Sequence, residues 1–158
     1  MDLIVHRVDV DFGHRERLSV KYSVSQSNGR VEAMKYLLMC CHEEKKWDSM
    51  SKSECDAVME ETMAYVEALK KSGQLLAVEQ LDPIKTAISV RIRSGKLSVT
   101  DGPYAETKEQ LGGFFLINAR DLNEAIQVAS KFPSVRFGTM EVRPVREIPG
   151  SGHEATAT

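Results

Sequence analysis

The sequence predicts an α+β domain in which two helices lie on one face of a mainly antiparallel sheet. Two observations lead to this fold class. Six segments show the apolar patterns of β-strands, and two segments between them carry apolar residues spaced by three and four, as in amphipathic helices. Their order along the chain is strand, helix, strand, hairpin, strand, helix, strand, which is typical of an α+β protein.

The first predicted strand, residues 34–42 (MKYLLMCCH), is apolar on both alternating faces, which indicates burial on both sides. A polar loop with Trp47, the single tryptophan, follows it. Ser53 is predicted to cap a helix that ends at Gly73. The positions on the inward face of this helix are Cys55, Val58, Met59, Thr62, Tyr65, Val66 and Leu69. This helix should therefore pack on one face of the sheet.

The middle of the chain is predicted to contain a short strand and a hairpin. Residues 74–81 form the strand, which ends at Asp82-Pro83. Residues 84–92 and 96–101 both alternate apolar and polar residues, and Ser94-Gly95 between them is a tight-turn dipeptide. The hairpin is therefore expected to have one apolar face and one face in water.

The last third of the chain is predicted to contain two strands and a helix. Residues 113–119 (GFFLINA) are again apolar on both faces. Asp121 and Glu124 have the spacing of a helix-capping pair, and Pro133 ends the helix that they begin. Residues 139–145 form the final strand. Glu141 and Arg143 share one face of that strand, either as an ion pair or directed into an inter-subunit space.

The two predicted helices cover only one face of this sheet. The strands at residues 34–42 and 113–119 are nevertheless apolar on both faces, so the second face needs a cover. The simplest cover is the same face of a second copy of the chain. The pattern therefore predicts a two-fold homodimer in which the open sheet faces stack.

The chain is predicted to have three regions. Residues 1–33 form an N-terminal extension, in which residues 18–24 alternate like a strand and the residues after them resemble a linker. Residues 34–147 form the domain. Residues 148–158, which contain glycine and serine, are expected to be a flexible tail.

Charge and cysteine content limit the possible partners and compartments. With 21 basic and 23 acidic residues and no basic stripe, the chain gives no indication of direct nucleic-acid binding. No apolar run reaches the roughly 18 residues of a membrane span, so no membrane association is expected. The three cysteines are an odd number and two are adjacent, which indicates reduced thiols and a cytoplasmic protein.

The sequence predicts neither a metal site nor a cofactor. Cys40, Cys41, His42 and Cys55 are possible ligands, but neighbouring strand residues point to opposite faces, so Cys40 and Cys41 are better explained as small buried side chains. No glycine-rich phosphate loop opens a helix. His42 itself has two interpretations: a partly exposed residue at a strand end or a base active near neutral pH.

The candidate functional site is the segment "VTDGPYAETKEQLGGFFLI", residues 99–117. Strand alternation places Asp101 on the side of Leu97 and Val99, so its carboxylate is expected at the rim of the core. It either accepts hydrogen bonds from its own turn or serves as a base or anchor for a ligand. Residues 107–111 could form one helical turn that leaves Glu106, Lys108 and Glu109 in water, or these charges could line a cleft. Gly112-Gly113 would allow close backbone or ligand approach.

The stretches "TDGPYAETKEQLGGFFLI", "ARDLNEAIQVASKFP" and "MEVRPV" closely resemble the DGPF subgroup of YCII-related proteins. The resemblance covers residues 34 to about 145. Tyr104 stands where phenylalanine is usual, and "CCHEE" replaces a more ordinary strand end, which makes a role for His42 less transferable. The resemblance implies a ferredoxin-like βαββαβ protomer with the hairpin inserted, paired as a dimeric α/β barrel.

The family has no established reaction, and the resemblance implies two kinds of function. Its wider relatives include cofactor-free isomerases, monooxygenases and small-molecule binders that use the cleft between sheet and helices. DGPF proteins are also companions of extracytoplasmic-function sigma factors. The first hypothesis is therefore an enzyme-like or ligand-binding homodimer, and the alternative is a non-catalytic regulatory or interaction protein.

The first hypothesis places a small polar ligand in a cleft beside the DGPY loop. Asp101 would be its base or anchor and Lys108 a charge partner. The remaining predicted contacts are Tyr104, Glu106, Glu109 and Gly113.

Overall fold

The computed structural model describes residues 33–146 in full and, before them, only the backbone of two strands. These strands, β1 (Val5–Asp9) and β2 (Ser19–Ser23), pair antiparallel within a unit that comprises Met1–Glu32. β2 falls inside the strand predicted at residues 18–24. The predicted flexible tail lies outside the described residues.

The second unit, Ala33–Thr158, contains the elements predicted for the domain. In chain order they are β3 (Met34–His42), α1 (Glu44–Asp48), α2 (Lys52–Lys71), β4 (Leu75–Gln80), β5 (Ile88–Arg93), β6 (Lys96–Asp101), β7 (Gln110–Ala119), α3 (Leu122–Ser130) and β8 (Gly138–Pro144). Four strands form one antiparallel sheet in the order β4-β7-β3-β8. Together with α2 and α3 this is the βαββαβ order of a ferredoxin-like fold, so the predicted α+β class is confirmed.

Both long helices begin at a side-chain cap. Asp121 Oδ1 accepts a hydrogen bond from the backbone N–H of Glu124 at 2.8 Å, which confirms the predicted capping pair of α3. α2 begins at Ser51, where the prediction was Ser53. Ser51 is favoured because Glu54, three residues later, accepts from its backbone N–H at 2.8 Å and completes a capping box.

The core lies between the sheet and these two helices. Phe132 is 1% exposed, and its ring centroid lies 4.1 Å from that of Phe115 and 4.8 Å from that of Tyr65. The Tyr65 hydroxyl donates to the Val128 carbonyl at 3.1 Å, which satisfies its polar end. The other fully buried large side chains are Tyr36, Leu38, Ile117 and Val66.

The structure corrects several local predictions. The polar loop around Trp47 is the short helix α1, and 3-10 turns occupy Ile84–Thr86 and Pro133–Arg136. The suggested helical turn at residues 107–111 is absent: the Thr107 hydroxyl donates to the Glu109 carbonyl at 2.6 Å, and β7 already begins at Gln110. This side-chain bond replaces the backbone bond that a helical turn would make.

The sheet face opposite the helices is apolar in its centre. Leu37, Met39 and Cys41 of β3 lie beside Phe114 and Leu116 of β7, and all five are half-buried in the single chain. Glu141 and Arg143 of β8 form the predicted ion pair, with Nε and Oε1 3.2 Å apart. Among the helices of residues 33–146, none has both the length and the apolar content that crossing a membrane requires.

Candidate functional site: a cavity between α2 and the sheet

A cavity of about 550 Å³ lies between α2 and the end of the sheet where β3 finishes and β7 starts. This volume is within the range of small-molecule sites in proteins. Its wall is mainly apolar, with contributions from α1, α2 and the two strands. The principal apolar side chains are Trp47, Val58, Met59, Met63, Val66, Val78, Phe115 and Phe137.

His42 is part of the cavity wall because of its position on β3. Side chains alternate along a strand, so His42 points to the helix-covered face with Leu38 and Cys40. The register of β7 shifts opposite Cys40 and Cys41, so Gly112 is an extra residue beside His42. A Cβ at Gly112 would clash with the imidazole ring. The missing side chain of Gly112 therefore makes the room that the ring occupies.

Replacing Gly112 by alanine is expected to move the imidazole while leaving the fold intact, because the clash involves only the end of a rotatable side chain. The His42 ring signals in a proton–carbon NMR spectrum should shift, and the free energy of unfolding should change by less than about 1 kcal/mol.

The matched control is Gly138→Ala, where the new Cβ would meet the backbone carbonyl of Cys41. That change forces the backbone apart and should cost about 1–3 kcal/mol in a urea titration. Equal losses from the two variants would contradict the role assigned to Gly112.

Two polar side chains of the cavity wall have clear partners within the domain. Glu44 Oε1 accepts from the backbone N–H of Ile84 at 2.7 Å, and the Thr62 hydroxyl donates to the Val58 carbonyl at 2.7 Å. Ser134 differs, because its Oγ is buried and has no hydrogen-bond partner of ordinary geometry among the described residues. A buried hydroxyl without a partner is costly, so Ser134 is available for a hydrogen bond to a bound molecule.

The Cys40 thiol also faces the cavity. Burial raises its pKa, and a weak sulfur contact to Ser134 lowers it by a smaller amount. The thiol is therefore protonated near neutral pH and is a poor nucleophile there.

Stability should fall in alkaline solution because of this thiol. In the unfolded chain it ionises above about pH 8.5, whereas the folded chain holds the proton to higher pH, so the free energy of unfolding decreases as pH rises through this window. Urea titrations at pH 7.5 and 9.5 should show a smaller decrease for Cys40→Ala than for the unaltered protein. Tyr36 and Tyr65, whose pKa values burial also raises, are present in both proteins and cancel. Burial also raises the pKa of Cys41, and the charge of Cys40 adds to that rise, so the variant removes both effects of Cys40 together. The same decrease in both proteins would rule out Cys40 as its source.

Of the site residues predicted from sequence, Gly113 lines the cavity and the other five do not. Asp101 ends β6, and its side chain forms no hydrogen bond with the other described residues. Tyr104 is 83% exposed, and its carbonyl accepts from Arg91 Nη2 at 2.8 Å. Glu106 and Lys108 are exposed. Their roles, like that of Asp101, stay predictions.

Glu109 is half-buried and does not line the cavity. Burial is the main reason that the pKa of Cys41 is raised, and the negative charges of Cys40, Glu141 and Glu109 add to it. Glu109 is therefore near Cys41, whose side chain lies on the open sheet face.

Only some of the residues that form the cavity can be predicted from the sequence. The parity of MKYLLMCCH places His42 with Tyr36 and Leu38, which is a signal that it points inward. No such signal exists for Trp47 or Ser134, because both lie on short segments that only the packing places. Within residues 33–146 no three histidine, cysteine or acidic side chains converge in an arrangement that could hold a metal ion.

Comparison with known proteins agrees with this architecture. The YCII-related domain matches residues 34–149. An uncharacterized protein of Rhizobium meliloti (strain 1021) is 37% identical over 114 residues, which cover 71% of this chain and 92% of that protein. The YCII-related match contains every element from β3 to β8, and with them the cavity. The chain belongs to the YCII-related family.

Proposed function

We propose that the domain binds a small molecule with an apolar body and at least one hydrogen-bonding group in the cavity between α2 and the sheet. One observation carries the proposal: the His42 ring, seated against Gly112, lies in the wall of a mainly apolar cavity of about 550 Å³. Sites of this kind combine an apolar wall with a few polar groups that orient the ligand.

The polar groups of the wall suggest how a ligand would be held. The His42 imidazole can donate or accept a hydrogen bond through its two ring nitrogens. The buried Ser134 hydroxyl, whose one contact is the weak one to the Cys40 sulfur, offers a second contact. His42 is thus the residue of the wall best suited to orient a ligand and to act on it as a general acid or base.

Trp47 makes the proposal testable without knowing the natural ligand. It is the single tryptophan of the chain and it lines the cavity, with its ring centroid 6.1 Å from that of His42. The fluorescent dye 1-anilinonaphthalene-8-sulfonate has an apolar ring system and one anionic group. Titration with this dye should quench Trp47 emission by energy transfer and saturate at one dye per chain.

A pair of variants on α2 separates cavity binding from binding elsewhere. Met63 is half exposed at the cavity rim, and Met63→Arg should abolish saturable quenching. Ala64→Arg places the same side chain one residue away, at an exposed position that does not line the cavity, and should bind the dye normally. If both variants retain saturable quenching, the dye lies outside the cavity and the proposal fails.

The DGPF subgroup and the dimeric α/β barrel are further parts of the proposal. The segment "TDGPYAETKEQLGG" supports the subgroup. The apolar centre of the open sheet face supports the dimer, because the helices of the chain pack on the other face. Leu116 lies in the middle of this face, opposite Leu37.

Leu116→Glu is expected to dissociate the sheet-face dimer, because two buried carboxylates would face each other across the two-fold axis. Sedimentation velocity should show a fall in mass by half. Ala64→Glu, on the exposed side of α2, should keep the mass of the unaltered protein. An unchanged mass for a folded Leu116→Glu variant would show that the copies do not meet through this face.

The alternative function, a regulatory or interaction protein such as a companion of a sigma factor, draws support from the exposed apolar hairpin. Binding of a different protein there would not require the cavity. Two results together would favour this alternative. The Met63→Arg variant would bind the dye as the unaltered protein does, and the purified chain would form a stable complex with a sigma factor.

A further inference from the structure

The hairpin β5–β6 stands outside the main sheet and presents an uncovered apolar face. Within the described residues its two strands pair only with each other. Its apolar side chains are 59% to 73% exposed in the chain. They are Ile88, Val90, Ile92, Leu97 and Val99, and we call them the hairpin patch.

The polar face of the same hairpin is covered only at one end, where Ser89 is 9% exposed, and its other side chains are exposed. The Ser89 hydroxyl donates to the Gly102 carbonyl at 2.8 Å, and the Arg91 guanidinium donates to the Tyr104 carbonyl at 2.8 Å. The loop after β6 therefore folds over the polar side. The apolar side is left exposed along its whole length, whereas an antiparallel hairpin usually buries that side. A two-stranded hairpin is only marginally stable in water, so its apolar face requires a cover.

We propose that the hairpin patch packs against the hairpin patch of a second copy of this chain, related by a two-fold axis. We call the end of the hairpin at Ile88 and Asp101 its base and the end at the Ser94-Gly95 turn its tip. In the proposed contact the base of each hairpin lies against the tip of the other. This contact uses a different surface from the sheet-face dimer and does not depend on it.

The size of the patch supports self-association. The five side chains expose on the order of 500 Å² of apolar surface, as much as the largest patch on a typical monomer. Two patches facing each other would bury about 1,000 Å² in total, which is the size at which specific interfaces begin. The opposed pairs Val90–Val99 and Ile92–Leu97 make the patch flat and free of charge at its centre.

The charges at the two ends of the hairpin select the orientation. Asp101 lies at the base, on the patch side and opposite Ile88, whereas Arg93 and Lys96 pair at the tip, where strand alternation places them on the polar face. Base-against-tip packing brings Asp101 toward the positive tip of the partner subunit. The opposite orientation would place the two Asp101 carboxylates together, which is unfavourable.

The test replaces the centre of the patch without breaking the hairpin. Val90→Lys with Val99→Glu gives an attractive cross-strand pair but makes the patch polar. Sedimentation equilibrium of this full-length variant should show at least tenfold weaker self-association than the unaltered protein. Ser98→Glu, opposite Arg91 on the polar face, is the matched control and should associate normally.

A charge exchange tests the orientation. Asp101→Lys should weaken association, and adding Arg93→Glu and Lys96→Glu should restore most of it. Leu116→Glu, examined with and without the patch substitutions, separates this contact from the sheet-face dimer.

Three outcomes would overturn the proposal. The first is unchanged mass for the folded patch variant. The second is that the unaltered protein is monomeric and its hairpin amides are protected from hydrogen exchange. That result would mean that residues 1–33 cover the hairpin patch. The third is association that requires a different protein.

Discussion

Phe132→Ala is expected to lower the free energy of unfolding by about 3–5 kcal/mol, the largest effect of any single change in the core. Phe132 is 1% exposed, although it lies beyond the end of α3. Its ring fills the space between Phe115 on the sheet and Tyr65 on α2, so truncation leaves a void that touches both layers. Domains of this size are commonly stable by only about 5–15 kcal/mol. Urea unfolding followed by circular dichroism measures the loss.

Phe137→Ala is the matched control for this prediction. Phe137 is half-buried at the cavity, where the wall already borders empty space, so removing its ring should cost less than half as much. A Phe132→Ala variant as stable as Phe137→Ala would mean that the aromatic cluster does not hold α2 and α3 on the sheet.

His42→Phe is expected to weaken dye binding in the cavity about tenfold or more. Phenylalanine keeps a ring that fits beside Gly112 but removes both nitrogen atoms. Loss of one hydrogen bond to a charged group is worth roughly 1.5–3 kcal/mol, and 1.4 kcal/mol corresponds to tenfold in affinity. The measurement is the titration of Trp47 emission with 1-anilinonaphthalene-8-sulfonate, with circular dichroism to verify that the variant is folded.

Asp101→Asn serves as the control that separates the two candidate sites. Asp101 does not line the cavity, so this variant should bind the dye as the unaltered protein does. The reverse pattern, with normal binding by His42→Phe and weak binding by Asp101→Asn, would move the site to the DGPY loop.

Much of the fold could be predicted because its signals are local. The MKYLLMCCH strand has the predicted bounds, and the Asp121–Glu124 cap of α3 is present as predicted. The errors are local as well. The helix cap moved from Ser53 to Ser51 because the capping box needs Glu54 at the third position, and α1 was missed because five residues carry too little periodicity.

The candidate site was harder to predict, because a cavity is a property of packing. The DGPY loop was the predicted site because of its carboxylates. Its charged side chains lie outside the cavity, however, and only Gly113 among the predicted contacts lines it. The cavity instead combines His42 at a strand end, Trp47 on a short helix and Ser134 in a 3-10 turn. Ser134 is far along the chain from His42 and Trp47, and no spacing rule connects the three residues.

The amino-acid sequence was enough to predict the order of the elements, the apolar faces of the strands and helices, and the family, because periodicity and local capping are encoded by near neighbours. Three features follow only from packing: His42 faces the cavity beside Gly112, the Ser134 hydroxyl is buried beside the Cys40 thiol, and the hairpin turns its apolar face outward. These features depend on a strand register shift and on contacts between distant segments. Such contacts are set by the packing of the whole domain.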